Sequence, residues 1–239
     1  MNENEVIGRS ILTMGVYDLI VAESLKRLLS PDDLFLDVGA NIGYFSRQAL
    51  RFGAQIRAFE PHPQIFAHLQ KNLGGFEGKC QLYNSALSDQ KGEFSLYIPE
   101  NFSKNEGVAS LEPMDNSTEL KVQTEKLDSM SPGKVRLMKI DVEGHELQVL
   151  KGAEQLLKNK AIEFIVFEDF GGAQSKCIQF LQKYGYEVKR LQKTLMGPRL
   201  LDLNNINKLP KWEPPNFIAT ANPNELETTF TPKGWKFYS

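Results

Sequence analysis

The feature that most constrains this fold is a short apolar run that enters a glycine turn and continues as a helix, with further units of the same kind after it. Leu34 to Val38 has strand length, leads through Asp37-Val38-Gly39-Ala40-Asn41-Ile42-Gly43, and gives way to helical spacing over Ile42 to Phe52. Ile56 to Phe59 repeats the strand and ends at Glu60-Pro61. Pro63 to Leu73 repeats the helix, with Ile65, Phe66 and Leu69 inward, and Gly74-Gly75 stops it. Cys80 to Ala86 is a third strand. Strands separated by helices of this length predict a parallel sheet with helices on both faces. Val135 to Ile140 and Ile162 to Phe167 extend that sheet, with an amphipathic helix over Leu147 to Leu157 between them. A helix through Ile178 to Tyr184 follows, and Tyr186 to Leu191 and Phe217 to Ala221 read as closing strands.

Other segments depart from this alternation. Residues 10–29 carry apolar positions at helical spacing and predict one or two helices ahead of the sheet. Glu93 to Ile98 alternates as a half-exposed strand, and the polar stretch 99–121 predicts a mobile insertion. Residues 193–216 hold Pro198, Pro210, Pro214 and Pro215 and predict a loop or lid. A length of 239 residues suits one domain with decorations. It divides into a helical extension (1–33), a core (34–191), and a lid with a closing strand (192–239). These long polar segments are expected to frame an acceptor cleft and to order when substrate binds.

Several function classes are disfavoured. A formal net charge of −2 lacks the basic excess that neutralises phosphates, so no nucleic-acid partner is expected. The acidic start, Met1 to Glu5, is not a secretory signal, and no apolar run approaches the roughly 20 residues that span a bilayer. A cytoplasmic protein is the expectation. Cys80 and Cys177 have no C-x-x-C spacing and read as reduced thiols; with only His62, His68 and His145 available, no metal site is expected.

The turn and Glu60 together point to an adenosine ribose. Backbone comes close to a ligand at a glycine turn on the carboxyl edge of a parallel sheet, and a carboxylate about 20 residues on accepts from both ribose hydroxyls. The turn has G-x-x-x-G spacing, from Gly39 to Gly43, whereas dinucleotide sites use G-x-G-x-x-G. Asp37 would repel a pyrophosphate and attract an ammonium. S-adenosyl-L-methionine is therefore expected, held by Asp37, Gly39, Ala40, Asn41, Gly43, Glu60 and Pro61. Ser85 and Ala86 would flank the adenine. In a doubly wound sheet the strand over 135–140 emerges beside the first, which brings Asp141, Glu143, His145 and Glu146 near the same ligand. Asp141 is a candidate for the ammonium or an acceptor hydroxyl. His145 leads as general base because imidazole titrates near neutrality unaided, with Glu143, Asp141 and Glu168 as alternatives.

These motifs resemble the FkbM family of methyltransferases. The matching pieces are FLDVGANIGYFS (35–46), AFEPHP (58–63), NSALSDQKGEFSLYI (84–98), VQTEKLDSM (122–130) and VRLMKIDVEGHELQVLKGAEQLL (135–157), of which the last is the most specific. The resemblance implies a Rossmann-like class I methyltransferase: a seven-stranded, mostly parallel sheet with the last strand antiparallel, and S-adenosylmethionine as donor. It further implies O-methylation of a hydroxyl on a saccharide or small natural product. Two alternatives remain: an NAD(P)-dependent oxidoreductase, which shares the fold and the ribose acid but not this glycine spacing, and a non-catalytic nucleoside-binding module on the same fold.

Overall fold

The computed structural model describes residues 17–99, 110–112, 116–208, 215–231 and 233–237. The first apolar run forms β1 (Leu34–Val38), and its neighbours are β2 (Gln55–Phe59), β3 (Cys80–Tyr83), β7 (Val135–Ile140) and β8 (Ile162–Glu168). All four pairings among these five strands are parallel, with order β8-β7-β1-β2-β3. The crossovers are made by α2 (Tyr44–Arg51), α3 (Pro63–Leu73), and α4 (Glu146–Gly152) with α5 (Glu154–Lys158). On the other side of β8 lie β11 (Asn216–Thr220), β9 (Glu187–Thr194) and β10 (Gly197–Leu201). β11 runs antiparallel to both β8 and β9.

Side chains alternate along each strand and divide the core between the two faces. Phe35, Leu137, Phe164 and Ile218 pack on one face against α1 (Leu19–Leu28), α2, α3 and α7 (Pro223–Phe230). Leu36, Met138, Ile165 and Phe217 pack on the other against α4, α5 and α6 (Lys176–Lys183). The result is three layers, α/β/α, with the strands' carboxyl ends gathered along one edge. Among the described residues, no helix is long and apolar enough to cross a membrane. Both cysteines are free thiols.

The structure differs from the sequence expectations at four places. The main sheet has eight strands, not seven, because β9 turns back at Leu195 and Met196 and pairs with β10. Part of the expected loop at 193–216 is therefore a hairpin; Pro198 is tolerated because β10 is an edge strand. Within the expected mobile insertion, Ser117–Glu125 is strand β6, which pairs with β5 (Gly92–Pro99) and β4 (Ala86–Leu87) as a second, three-stranded sheet. Residues 100–109 and 113–115 of that stretch lie outside the described residues, as do 10–16 of the N-terminal helical stretch. Finally, the helix expected over Leu147 to Leu157 is interrupted at Ala153. Two long-range contacts account for the break. A Cβ at Gly152 would sit 2.0 Å from the Ser88 carbonyl, so β4 comes within backbone contact of the helix end. Asp128 then caps α5 by accepting from Gln155 N and Leu156 N at 3.0 and 3.1 Å.

Candidate active site

The β1–α2 turn requires left-handed backbone at Gly39 (φ 74°), Asn41 (φ 50°) and Gly43 (φ 85°). The glycines answer to the protein's own packing. A Cβ at Gly39 would lie 1.9 Å from the Asp141 carbonyl at the tip of β7, and one at Gly43 would lie 2.6 Å from Leu69 on α3. This modifies the sequence reading, in which the glycines make room for ligand. Gly39, Ala40 and Asn41 line the cavity above the sheet edge, whereas Gly43 does not.

Glu60, at the end of β2, is buried, and each of its carboxylate oxygens is held once. Oε2 accepts from Asn41 N at 3.0 Å and Oε1 from His62 N at 2.9 Å. Each oxygen keeps further acceptor capacity on the cavity side. Burial is the largest influence on Glu60 and pushes its carboxyl up to about 7, against the lowering effect of these two hydrogen bonds. The unfolded chain ionises Glu60 near 4.5, whereas the folded chain holds the proton to about 7. The stabilising share of this group is therefore whole at low pH, declines as pH rises toward 7 and is gone above it. Thermal scans of ligand-free protein from about pH 5 to 8 should show this decline reduced in Glu60→Gln; identical slopes would remove Glu60 as its source. Pro61 and Ala86 also line the cavity. Ser85 is buried but does not line it.

Asp37 is placed differently from expectation. It is fully buried beneath the turn and outside the cavity lining. Its Oδ2 accepts from Ser46 N and Oγ at 3.1 and 2.7 Å, and its Oδ1 lies 3.3 Å from Lys139 Nζ. Lys139 donates to the Gly39 carbonyl at 2.9 Å and lies 3.5 Å from Asp141 Oδ2. Asp37 thus anchors the lysine that ties β7 to the turn, which is the opposite of an ammonium receptor open to ligand.

The turn after β7 carries the remaining candidates. Asp141, Glu143 and His145 line the cavity, and Glu168 joins them from the tip of β8. The His145 ring is buried and engaged at both nitrogens: Nε2 meets Ser88 Oγ at 2.9 Å and Nδ1 meets Glu112 Oε1 at 3.1 Å. No ring nitrogen is left to receive a proton from an acceptor without breaking one of these bonds. The sequence reading placed His145 first; its geometry is that of a brace between β4, the β5–β6 connection and the turn. Glu143 occupies left-handed backbone (φ 49°), and its carbonyl accepts from Ser110 Oγ at 2.6 Å. Burial, then Asp141 and Glu146, push the Glu143 carboxyl up to about 7. Burial, then Asp141 and Asp18, push Glu168 to about 7 as well.

Sequence reasoning missed Tyr17, Asp18, Tyr44 and Asn216, all of which line the cavity. Asp18 caps α1 by accepting from Ile20 N at 3.2 Å, and it also accepts from Asn216 Nδ2 at 3.2 Å. An aspartate immediately before an apolar helical run was a readable capping signal. Asn216 gave none, since it follows Pro214 and Pro215 in an otherwise featureless stretch. Among the described residues, no three His, Cys, Asp or Glu side chains gather as a group that could hold a metal ion.

Residues 37–188 match the family model described as the methyltransferase FkbM domain. The hexuronic acid methyltransferase AglP of Haloferax volcanii is 30% identical over 186 residues, covering 74% of this chain and 76% of that protein. The 31-O-demethyl-FK506 methyltransferase FkbM of Streptomyces tacrolimicus is 26% identical over 203 residues, covering 71% and 78%. A solved structure of methyltransferase FkbM from Methylobacillus flagellatus KT superposes with a TM-score of 0.49 at 14% identity, over 80% of this chain and 44% of that longer one. The matched segment begins at the buried Asp37 ahead of the glycine turn, contains Glu60 and the whole turn after β7, and ends within β9. The chain therefore belongs to the FkbM family of methyltransferases, enzymes that in general take their methyl group from S-adenosylmethionine.

Proposed function

We propose that this chain binds S-adenosyl-L-methionine and transfers its methyl group to a hydroxyl of a saccharide or small natural product. The observation that carries the donor reading is the Glu60 clamp. Two backbone N–H groups fix its carboxylate at the cavity wall, with acceptor capacity left on both oxygens for a vicinal diol. Ile65, Leu87 and Leu96 offer apolar surface in the same cavity for a base, and Asp18 and Asp141 offer negative charge for an ammonium. The acceptor class draws on the relatives: one is described as a hexuronic acid methyltransferase and another as a 31-O-demethyl-FK506 methyltransferase.

When bound, the donor supplies a methyl group already activated on a sulfonium. The chain's own task is alignment and removal of the acceptor's proton. Glu143 is assigned the base. Its carboxyl faces the cavity, is held near neutral pKa, and is carried on a left-handed backbone fixed through Ser110. Asp141 positions the donor side of the site, and Lys139 with Asp37 holds the β7 tip against the turn.

The test is ligand-dependent stabilisation. S-adenosylhomocysteine at about 100 times its Kd should stabilise the fold by about 2.7 kcal/mol, since it binds only the native state. Glu60→Ala should lose most of that shift. Calorimetric binding of NAD with none of S-adenosylhomocysteine would replace this reading with an oxidoreductase.

A further inference from the structure

A second cleft adjoins the donor cavity, and its chemistry bears on the acceptor. It lies between α4 and the connection from β8 to α6. Asp141, Glu143 and Glu168 line both spaces and so form the threshold between them. Beyond the threshold the cleft adds Glu112, Glu146 and Asp169, with Lys176 as the one basic residue in its described lining. Three of these acids have structural duties. Glu112 faces His145, Glu146 accepts from Gly144 N at 3.1 Å, and Asp169 accepts from Gly171 N at 2.7 Å. The threshold acids differ. Among the described residues, no hydrogen bond or ion pair engages the carboxylates of Glu143 and Glu168, and Asp141 has only Lys139 at 3.5 Å. Glu143 is exposed and Glu168 and Asp141 are half-buried, so their carboxylate oxygens stay open to the cleft, where hydroxyl or ammonium donors of a ligand can take the place of water.

The rim of the cleft carries Phe170, which is 82% exposed. An aromatic face is electron-rich and favours positively polarised C–H groups, such as those on one side of a pyranose. A ligand offering several hydroxyl donors below and a C–H face above would complement both features.

Resting on the methyl-transfer reading, we infer that this outer cleft receives the acceptor, and that it selects a neutral or amine-bearing polyhydroxyl ring and rejects a carboxylated one. Hydroxyl and ammonium groups donate to the threshold carboxylates; a carboxylate on the acceptor brings like charge into a cleft with six acids and one lysine in its lining. Glu143 and Glu168 are binding groups for the acceptor ring as well as neighbours of the reacting hydroxyl.

The experiment is ligand-detected NMR on the full chain saturated with S-adenosylhomocysteine, using glucose, glucosamine and glucuronate as probes. Glucose and glucosamine are expected to show saturation transfer, with glucuronate binding at least about tenfold more weakly. In the double variant Glu143→Gln/Glu168→Gln the discrimination against glucuronate should largely vanish. Retention of the S-adenosylhomocysteine melting shift certifies that this variant is folded. Glucuronate binding as tightly as glucose in the wild type would overturn the inference. So would a lack of binding by all three sugars while S-adenosylhomocysteine still stabilises the protein, an outcome that leaves the donor reading intact. Loss of S-adenosylhomocysteine stabilisation in the wild type would instead bring down the methyl-transfer reading itself.

Discussion

Glu143→Gln is expected to lower kcat by about 10²–10⁴, the usual contribution of a general base, while S-adenosylhomocysteine binding stays near the wild-type level. The substitution keeps the shape of the side chain and removes only its ability to take a proton. The pH dependence has a definite sign. The Glu143 carboxyl is raised to about 7 because burial and the neighbouring Asp141 and Glu146 disfavour its charge. A base must be ionised to act, so the wild-type rate should climb as pH rises through about 7 and level off above it. The variant should lose that climb. Glu168 titrates in the same range and feels the charge of Glu143, so the wild-type profile reports the group of acids together. His145→Ala is the informative contrast. Because its ring bridges Ser88 and Glu112, its loss should lower thermal stability and loosen the turn, with a smaller fall in kcat than Glu143→Gln produces. Near-normal kcat in Glu143→Gln beside a collapse in His145→Ala would return the base to the histidine.

Gly39→Ala should be among the most destabilising single substitutions in the chain. The added methyl would meet the Asp141 carbonyl at 1.9 Å, and the backbone there is left-handed at φ 74°. Overpacking costs about 1–3 kcal/mol where surroundings can give. Here the opposing atom is backbone at the end of a central strand, so the neighbours cannot relax by rotating a side chain. Left-handed backbone adds about 1–2 kcal/mol for a residue with a Cβ. Against a typical stability of 5–15 kcal/mol, such a loss is expected to show as a sharp fall in melting temperature and in soluble yield. Gly75→Ala is the matched control: it too has positive φ, at 90°, but a Cβ there meets nothing within 4 Å. Equal melting temperatures for the two variants would show that backbone conformation alone, and not the approach of β7, governs Gly39.

Much of the fold was legible because the signals are local. Period-2 burial along Phe35 and Leu36, or Leu137 and Met138, follows from the geometry of a strand, and the helical stripes between strands leave few topologies open. Glu60 was legible for the same reason, since a strand end following a glycine turn puts an acid at the sheet edge wherever the sheet is parallel. The β9–β10 hairpin was less so: Pro198 argued for a loop, and its place on an edge strand is what permits it. The break at Ala153 depends on Ser88 and Asp128, neither of which is near the helix in sequence.

By itself, then, the sequence determined the alternating strands and helices, the left-handed glycine turn, and the set of acids delivered to the carboxyl edge. The tertiary structure decided what each of those groups faces. Asp37 is turned under the sheet edge toward Lys139, which in turn reaches Gly39 across 100 residues. His145 is occupied by Ser88 from 57 residues away, and Glu143 and Glu168 are left facing open space between two clefts. The reason is physical. Backbone periodicity depends on neighbours a few positions apart, whereas the partner and protonation of a polar group depend on which distant segment packs against it.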